Sequence, residues 1–357
     1  MIYGSGIKFI LNFPPKADPP LAEIDMKSFW EKLQKPIFAL APMADVTDCA
    51  FRQIIAKYGK PPVFWTEFVS ADGLAHPKAR EKLLIDLKYG ENEHPIVAQI
   101  FGGKPENIRT AAILCRNLGF DGIDINMGCP DRSVEKQCAG AAMMKDPKLA
   151  KEIIRAAKDS GLPVSVKTRI GYNKNEIATW VRTLLEEDLA VLTVHLRTRK
   201  EMSNVPAHWE VMKDIVAIRD EMKKDTLIFG NGDVADIDDA GRKYEKYGGD
   251  GVMLGKAIFG NPWLFSKHTP TLEEKLKVMV EHTKLFEEML MHPNPIRTDG
   301  RKRPTSNGTK SFAIMKKHYK AYAHGFEGAK ELRMALMEAK DAGEVEKITL
   351  KFLKSGI

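Results

Sequence analysis

The chain has 357 residues, 43% of them hydrophobic and 29% charged, with a formal net charge of +7. That composition excludes a disordered polyelectrolyte and leaves length for one large α/β domain and a smaller one. No stretch approaches the roughly 18 uncharged apolar residues of a membrane span, and residues 1–20 lack the basic start and long apolar run of a secretory signal. Cys49, Cys115, Cys129 and Cys138 have neither zinc nor disulfide spacing, so they fit a reducing cytoplasm with no metal expected.

Residues 1–35 read as a leader rich in Pro and Gly, closing with a short helix from about Met26 to Leu33. From Pro36 a regular rhythm begins. Strand-like segments fall at 36–42, 63–66, 96–100, 122–126, 164–167, 191–195, 227–230 and 250–254. Helical patterns lie near 47–58, 105–118, 147–160, 175–188, 207–222 and 234–247, while the interval before residue 96 holds a poor helix at 80–88 and a long loop. Eight strands with intervening helices predict a closed (β/α)8 TIM barrel over 36–268; a doubly wound sheet is the alternative if one short segment is not a strand. No Gly-x-Gly-x-x-Gly fingerprint follows the first strand.

The rhythm stops at Pro262-Trp263, and residues 269–357 read as an all-helical domain. Thr271 and Glu274 have the spacing of a capping box, opening a helix that runs to Met291. Further helices are expected over 310–324, 327–340 and 344–355. Between Arg301 and Phe326 lie seven Lys or Arg residues (301, 302, 303, 310, 316, 317 and 320), two histidines and no acid. A polyanion site is one explanation, a solvated surface the other.

In a barrel, chemistry is carried by the loops at the C-terminal strand ends. Asn126 and Cys129 sit where the fourth strand, Gly122 to Asn126, breaks into a loop. Gln99 ends the third strand with an amide that both donates and accepts. Period two puts Ser165, Lys167 and Arg169 on one face of the fifth strand, and a lysine there needs an anion or a polar partner. Thr193 and His195 share a face of the sixth. Around Pro42, Met43 and Ala44, small residues and a proline allow backbone to approach a flat ring, though a tight turn capped by Thr47 or Asp48 reads equally well. Gly230 to Asp233 and Gly255 to Gly260 end the last two strands, where barrels commonly hold a phosphate on backbone N–H groups, here with Lys256 as cation; otherwise those glycines simply turn the chain.

Taken together, the ordered pieces resemble the bacterial type of tRNA-dihydrouridine synthase. They are APMADVTDCAFR at 41–52, Thr66-Glu67, Gln99, DINMGCP at 124–130, Lys136, Gly140, VKTRIG at 166–171, HLRTR at 195–199, NGD at 231–233, GKAIFGNPWLF at 255–265 and KKHYKAYAHGFEGAKELR at 316–333. The likeness runs from about residue 36 to about 340. It implies a flavin enzyme that reduces selected tRNA uridines with NADPH. FMN would lie at the barrel mouth against Pro42, Met43 and Ala44, with Gln99, Lys167 and His195 at the polar ring edge. Its phosphate would lie among Asn231, Gly232, Asp233, Gly255 and Lys256. Hydride would pass to C6 of a uracil held by Asn126, and Cys129 would protonate C5, a thiol with an ordinary pKa near 8.5 being a proton carrier at neutral pH. The tRNA would lie along Arg197, Arg199, Arg301, Lys302, Arg303, Lys316 and Lys317, with its target base extruded from the stack.

Some positions depart from that pattern. Leu196 stands where the family usually has glycine, Lys256 replaces an arginine and so loses the bidentate fork for phosphate, and Cys138 offers a second thiol near the same loop. Cys129 keeps the assignment because it follows the strand end directly. Cys49 and Cys115 read as core thiols, Phe51, Phe259 and Phe265 as packing, and Trp263 as a plug between the two domains. A reductase or dehydrogenase of free pyrimidines or dihydroorotate is the nearest rival; a non-catalytic RNA-binding scaffold is the rival of another class, and it leaves Lys167, His195 and Cys129 without a task. A cytoplasmic monomer acting on tRNA is the simplest assembly.

Overall fold

The computed structural model describes residues 29–291 and 309–355. Most of the expected leader, the link carrying Arg301, Lys302 and Arg303, and the first residues of the 26–33 helix lie outside them. Among the described residues nine strands form one parallel sheet: β1 (Ile37–Leu40), β2 (Phe64–Trp65), β3 (Val69–Ser70), β4 (Ile96–Phe101), β5 (Gly122–Asn126), β6 (Val164–Arg169), β7 (Val191–His195), β8 (Leu227–Asn231) and β9 (Gly251–Leu254). The order is β1-β9-β8-β7-β6-β5-β4-β2, with β3 also pairing with β4. β1 lies against β2 and brings the two ends of the sheet together. All eight expected strands are present, in a TIM-barrel-like core. The addition is β3, two residues paired with Ile100 and Phe101, too short to leave a periodic signal.

Around the barrel run α1 (Cys49–Tyr58), α2 (Ala71–Ala75), α3 (Pro77–Leu83), α4 (Pro105–Asn117), α5 (Arg132–Glu135), α6 (Pro147–Lys158), α7 (Ile177–Leu185), α8 (Met212–Glu221) and α9 (Ile237–Tyr247). The interval read as a poor helix and loop therefore holds two short helices. Each is started by a local cap: Ser70 accepts from Gly73 N–H, and His76 accepts from Ala79 N–H with Pro77 at the first helical position.

Alternation along the strands decides what fills the barrel. Ile37, Ala39, Val97, Val191, Phe229 and Met253 point inward and pack with Trp30 and Trp65. Trp30 is 5% exposed, and its ring lies 5.8 Å from Trp65 and 6.3 Å from Phe229, so the N-terminal end of the barrel is sealed by aromatic surface. The intervening residues, such as Ile96, Ala98, Ile123, Ile125, Val164 and Val166, face the helices and join the large outer core. Above the apolar plug the inward row becomes polar, with Gln99, Asp124, Asn126, Lys167 and Asn231, which makes the C-terminal mouth the candidate site.

The C-terminal extension holds α10 (Leu272–Phe286), α11 (Met315–Tyr322), α12 (Ala329–Glu338) and α13 (Ala342–Lys354). Thr271 and Glu274 form the expected capping box, and α10 continues through a π-helical turn at Glu287–Met291. The extension docks on α1 through fully buried His282 of α10 and His318 of α11, whose rings lie 4.7 and 4.8 Å from that of Phe51. Burial pushes both imidazoles far down, His318 to about 3, so both are neutral in the folded protein. Trp263 sits at this junction, 4% exposed and 5.3 Å from the Tyr58 ring, while Tyr58 donates to Glu281 of α10. A second tie is ionic. Lys310, only 9% exposed at its side chain, reaches Glu67 at 2.6 Å and Asp86 at 2.8 Å, with Asp45 at 3.8 Å. Glu67 in turn accepts from the backbone N–H of Asp45 at 2.5 Å, in the loop that follows β1.

Candidate active site at the barrel mouth

The lowest polar layer is built on Asp124, 1% exposed on the inner face of β5. Ser165 Oγ donates to its Oδ1 and Gln99 Nε2 to its Oδ2, both at 2.6 Å. Burial pushes the carboxyl up to about 6, against those hydrogen bonds and the Lys167 charge. A carboxylate that accepts from Gln99 fixes the direction of everything above it. The Gln99 oxygen must face away, where it accepts from Asn126 Nδ2 at 3.2 Å. The Asn126 oxygen is thereby aimed at the loop, where it accepts from Gly128 N–H at 3.1 Å and Cys129 N–H at 2.9 Å. A polar relay thus runs from a buried carboxylate to the backbone of the loop cysteine.

Cations line the adjoining strands. Lys167, in register with Asn126 and Thr193, donates to Asn231 Oδ1 at 3.1 Å, and Asn231 is oriented by donating to Met253 O at 2.7 Å. Burial, with the Arg169 charge beside it, pushes the Lys167 ammonium down to about 8. His195 pairs in register with Arg169 and Asn231. Burial, then Lys167, Arg169, Arg197 and Lys256, push its imidazole well below the ordinary histidine range. His195 Nδ1 is enclosed and has no hydrogen-bond partner among the described residues. An orphaned buried ring nitrogen costs free energy unless a ligand meets it.

Gly232 has φ +126, and a Cβ there would come within 2.9 Å of the Ala207 Cβ. Its carbonyl is held by Trp209 Nε1 at 2.8 Å. A Cβ on Gly255 would meet only Ala41 Cβ at 3.8 Å and Met43 Sδ at 3.9 Å, so the space beside it is open toward the loop after β1. That loop holds Pro42, buried, and Met43 and Ala44, progressively more exposed, with the Met43 N–H tied to Thr47 Oγ1 at 2.9 Å. Lys256 is exposed beside Gly255.

Cys129 is half-buried and, like Phe68, packs against the apolar cluster of Phe101, Val134 and Ala139. Burial pushes its thiol up, chiefly against a backbone hydrogen bond from Asp131, so at neutral pH it carries its proton. Cys138 is exposed at the far end of the same loop; Cys49 and Cys115 are buried.

Arg197 is 4% exposed; it donates to Val205 O at 2.6 Å and pairs with Asp233. Arg199 is forked onto Glu135. Both of these expected RNA contacts are engaged with internal partners. On α11, Lys316 is half-buried and Lys317 exposed; Lys317, Lys320 and His324 border a groove of about 460 Å³ with Phe259. Asp124, Glu135, Tyr172 and the carboxylates around Lys310 escaped the sequence reading. Asp124 alone had a signal, two residues before Asn126 and therefore on the same face of its strand.

Comparison with known proteins gives a consistent result. The profile of the family described as Dihydrouridine synthase (Dus) matches residues 39–356. The chain is 40% identical over 329 residues to a "Probable tRNA-dihydrouridine synthase" of Staphylococcus aureus (strain Mu50 / ATCC 700699), covering 91% of this chain and 96% of that protein. It is 41% identical over 322 residues to a "Probable tRNA-dihydrouridine synthase 2" of Bacillus subtilis (strain 168), covering 89% and 94%.

Proposed function

The chain belongs to the dihydrouridine synthase family, and from that premise we propose that it reduces selected tRNA uridines to 5,6-dihydrouridine, with FMN resident in the mouth and NADPH as reductant. The residues present fit a flavin. His195 Nδ1 awaits a partner, Lys167 has a neutral amide as its hydrogen-bond partner, and the backbone at Gly255 leaves room that a side chain would take. Gln99, Lys167 and His195 would meet the polar ring edge, with Pro42, Met43 and Ala44 beside the ring. Asn231, Gly232, Asp233, Gly255 and Lys256 would hold the phosphate. When bound and reduced, FMN supplies hydride.

The protein's own residues do the rest. Asn126, its oxygen already committed to the loop, keeps one N–H to hold the uracil. Cys129 Sγ gives its proton to C5, a general-acid step worth about 10²–10⁴-fold. Lys167 favours negative charge in the mouth. The exposed face of α11, with Lys316, Lys317 and the preceding Arg301, Lys302 and Arg303, is where tRNA phosphates are expected to lie. Arg197 and Arg199 are assigned to the architecture of the mouth in place of the RNA contacts first expected.

The observation that carries this reading is a half-buried cysteine, Cys129, whose backbone N–H is tied by the Asn126 relay to a mouth lined with Lys167, His195 and Asn231. The test is dihydrouridine content, position by position, in dihydrouridine-free tRNA incubated with the purified protein and NADPH. Product should form at one or a few positions, vanish in Cys129→Ala and persist in Cys138→Ala. A yellow protein that oxidises NADPH yet leaves tRNA untouched would move the assignment to free pyrimidines; a colourless one that binds tRNA would favour a scaffold.

A further inference from the structure

The cysteine loop is held at two places. Its root is fixed beside β5, where Arg169 Nε donates to Gly128 O at 2.8 Å and Ala141 N–H to Cys129 O at 2.9 Å. Its far end is α5, a single turn capped by Asp131, which accepts from Ser133 N–H at 2.7 Å. Glu135 closes that turn with a side chain 12% exposed, and Arg199 grips it with a two-point fork: Nε to Oε1 at 2.9 Å, Nη2 to Oε2 at 2.5 Å. Tyr172 completes the arrangement. Its ring lies 3.9 Å from Lys145 Nζ and 5.4 Å from Arg199 Cζ. Burial raises the Glu135 carboxyl, but Arg199 and Tyr172 outweigh it and keep the group ionised below the usual range. Arg199 N–H donates to Gly171 O, and Lys200 N–H to Tyr172 O, both at 2.9 Å. The loops after β5, β6 and β7 are thereby joined at one point.

We propose that Glu135, Arg199 and Tyr172 form a clamp that positions the Cys129 thiol. Val134, in the same turn as Glu135, belongs to the apolar cluster against which Cys129 packs, so releasing Glu135 loosens the surroundings of the thiol. Arg199 is then a positioning residue acting through α5. An RNA phosphate could reach the Arg199 fork only by displacing a carboxylate already bound at both points. The proposal rests on Cys129 as proton donor for its functional meaning, but the geometry of the clamp can be tested without turnover.

The experiment uses the full-length flavin-loaded protein in a Cys138→Ala background, with no tRNA present. Iodoacetamide labelling of Cys129 is followed by peptide mass spectrometry at fixed pH. Glu135→Gln should raise the labelling rate by about fivefold or more, as expected of a loop that opens locally. In turnover it should lower kcat by about tenfold or more through a misplaced donor, with flavin content and the KM for tRNA little changed. Arg199→Lys, which keeps charge and loses the fork, should fall between. Tyr172→Phe removes one hydroxyl only and serves if Glu135→Gln folds poorly; it should move labelling in the same direction by less. Unchanged labelling in both Glu135→Gln and Tyr172→Phe would overturn the clamp. So would a rise in KM for tRNA at Arg199 without a change in labelling, which would make Arg199 an RNA contact. If the protein proved inactive on tRNA but labelling still rose, the clamp would stand and the reaction assignment would fall.

Discussion

Replacing Lys310 by methionine removes the cation that Glu67, Asp86 and Asp45 share. Glu67 is 4% exposed, and burial already pushes its carboxyl up to about 7, with Lys310 the main influence holding it down. Removing one partner of such a buried pair costs about 3–5 kcal/mol, because the remaining charge is left uncompensated. The pH dependence gives a sharper test. Lys310 itself is raised above 10.5, so its contribution is complete at neutral pH and is lost only in strong alkali. Glu67 is raised above its unfolded value, so folding is penalised as pH rises from about 4.5 through 7 and the penalty then levels off. Without Lys310 the Glu67 value climbs further, and the penalty keeps growing above pH 7 by up to about 1.4 kcal/mol per unit. Urea unfolding of the two proteins at pH 6 and pH 8.5 should therefore show a gap that widens with pH. The double variant Glu67→Gln with Lys310→Met should recover much of the loss, since it removes the most deeply buried charge and leaves only the more exposed Asp86 and Asp45 without the cation. A gap under about 1 kcal/mol, or one that narrows as pH rises, would refute the reasoning.

The buried histidine pair makes the opposite demand. His318 has a folded pKa near 3 against an ordinary 6.5, so the unfolded chain binds the extra proton and stability falls with acid; between pH 6.5 and 5 this site alone should cost about 2 kcal/mol, and His318→Phe should flatten the Tm-against-pH curve in that window. On the proposed function, Lys167, at about 8, should make the apoprotein bind FMN more weakly as pH rises through 8, because the ammonium is lost while the ligand stays anionic. Flavin-fluorescence titrations from pH 6.5 to 9.5 should show that slope in the parent and its loss in Lys167→Met.

Much of this fold was legible because hydrophobic alternation and turn chemistry are local. The eight barrel strands and the Thr271 capping box each follow from a few neighbouring residues. The inward face of β6 was readable the same way, since Ser165, Lys167 and Arg169 differ by two. What could not be read is whatever depends on closure. Lys310 meets Glu67 across 243 positions and Arg199 meets Glu135 across 64, and nothing local distinguishes these side chains from solvated charges. The run from 301 to 326 looked uniformly basic for that reason, although Lys310 in it turns inward to acids. His282 and His318 were equally silent: a lone histidine in a helix pattern carries no mark of burial.

The aromatic seal formed by Trp30, Trp65 and Phe229 has a kinetic corollary. A barrel stopped at its floor has a single doorway, so a reductant and a polynucleotide that both need the mouth must take turns. On the proposed function, NADPH and tRNA would then alternate at the mouth, and a resident flavin would carry the reducing equivalents between the two visits. Initial-rate plots against one partner at several concentrations of the other should run parallel, and an excess of either should slow the other by blocking the same opening.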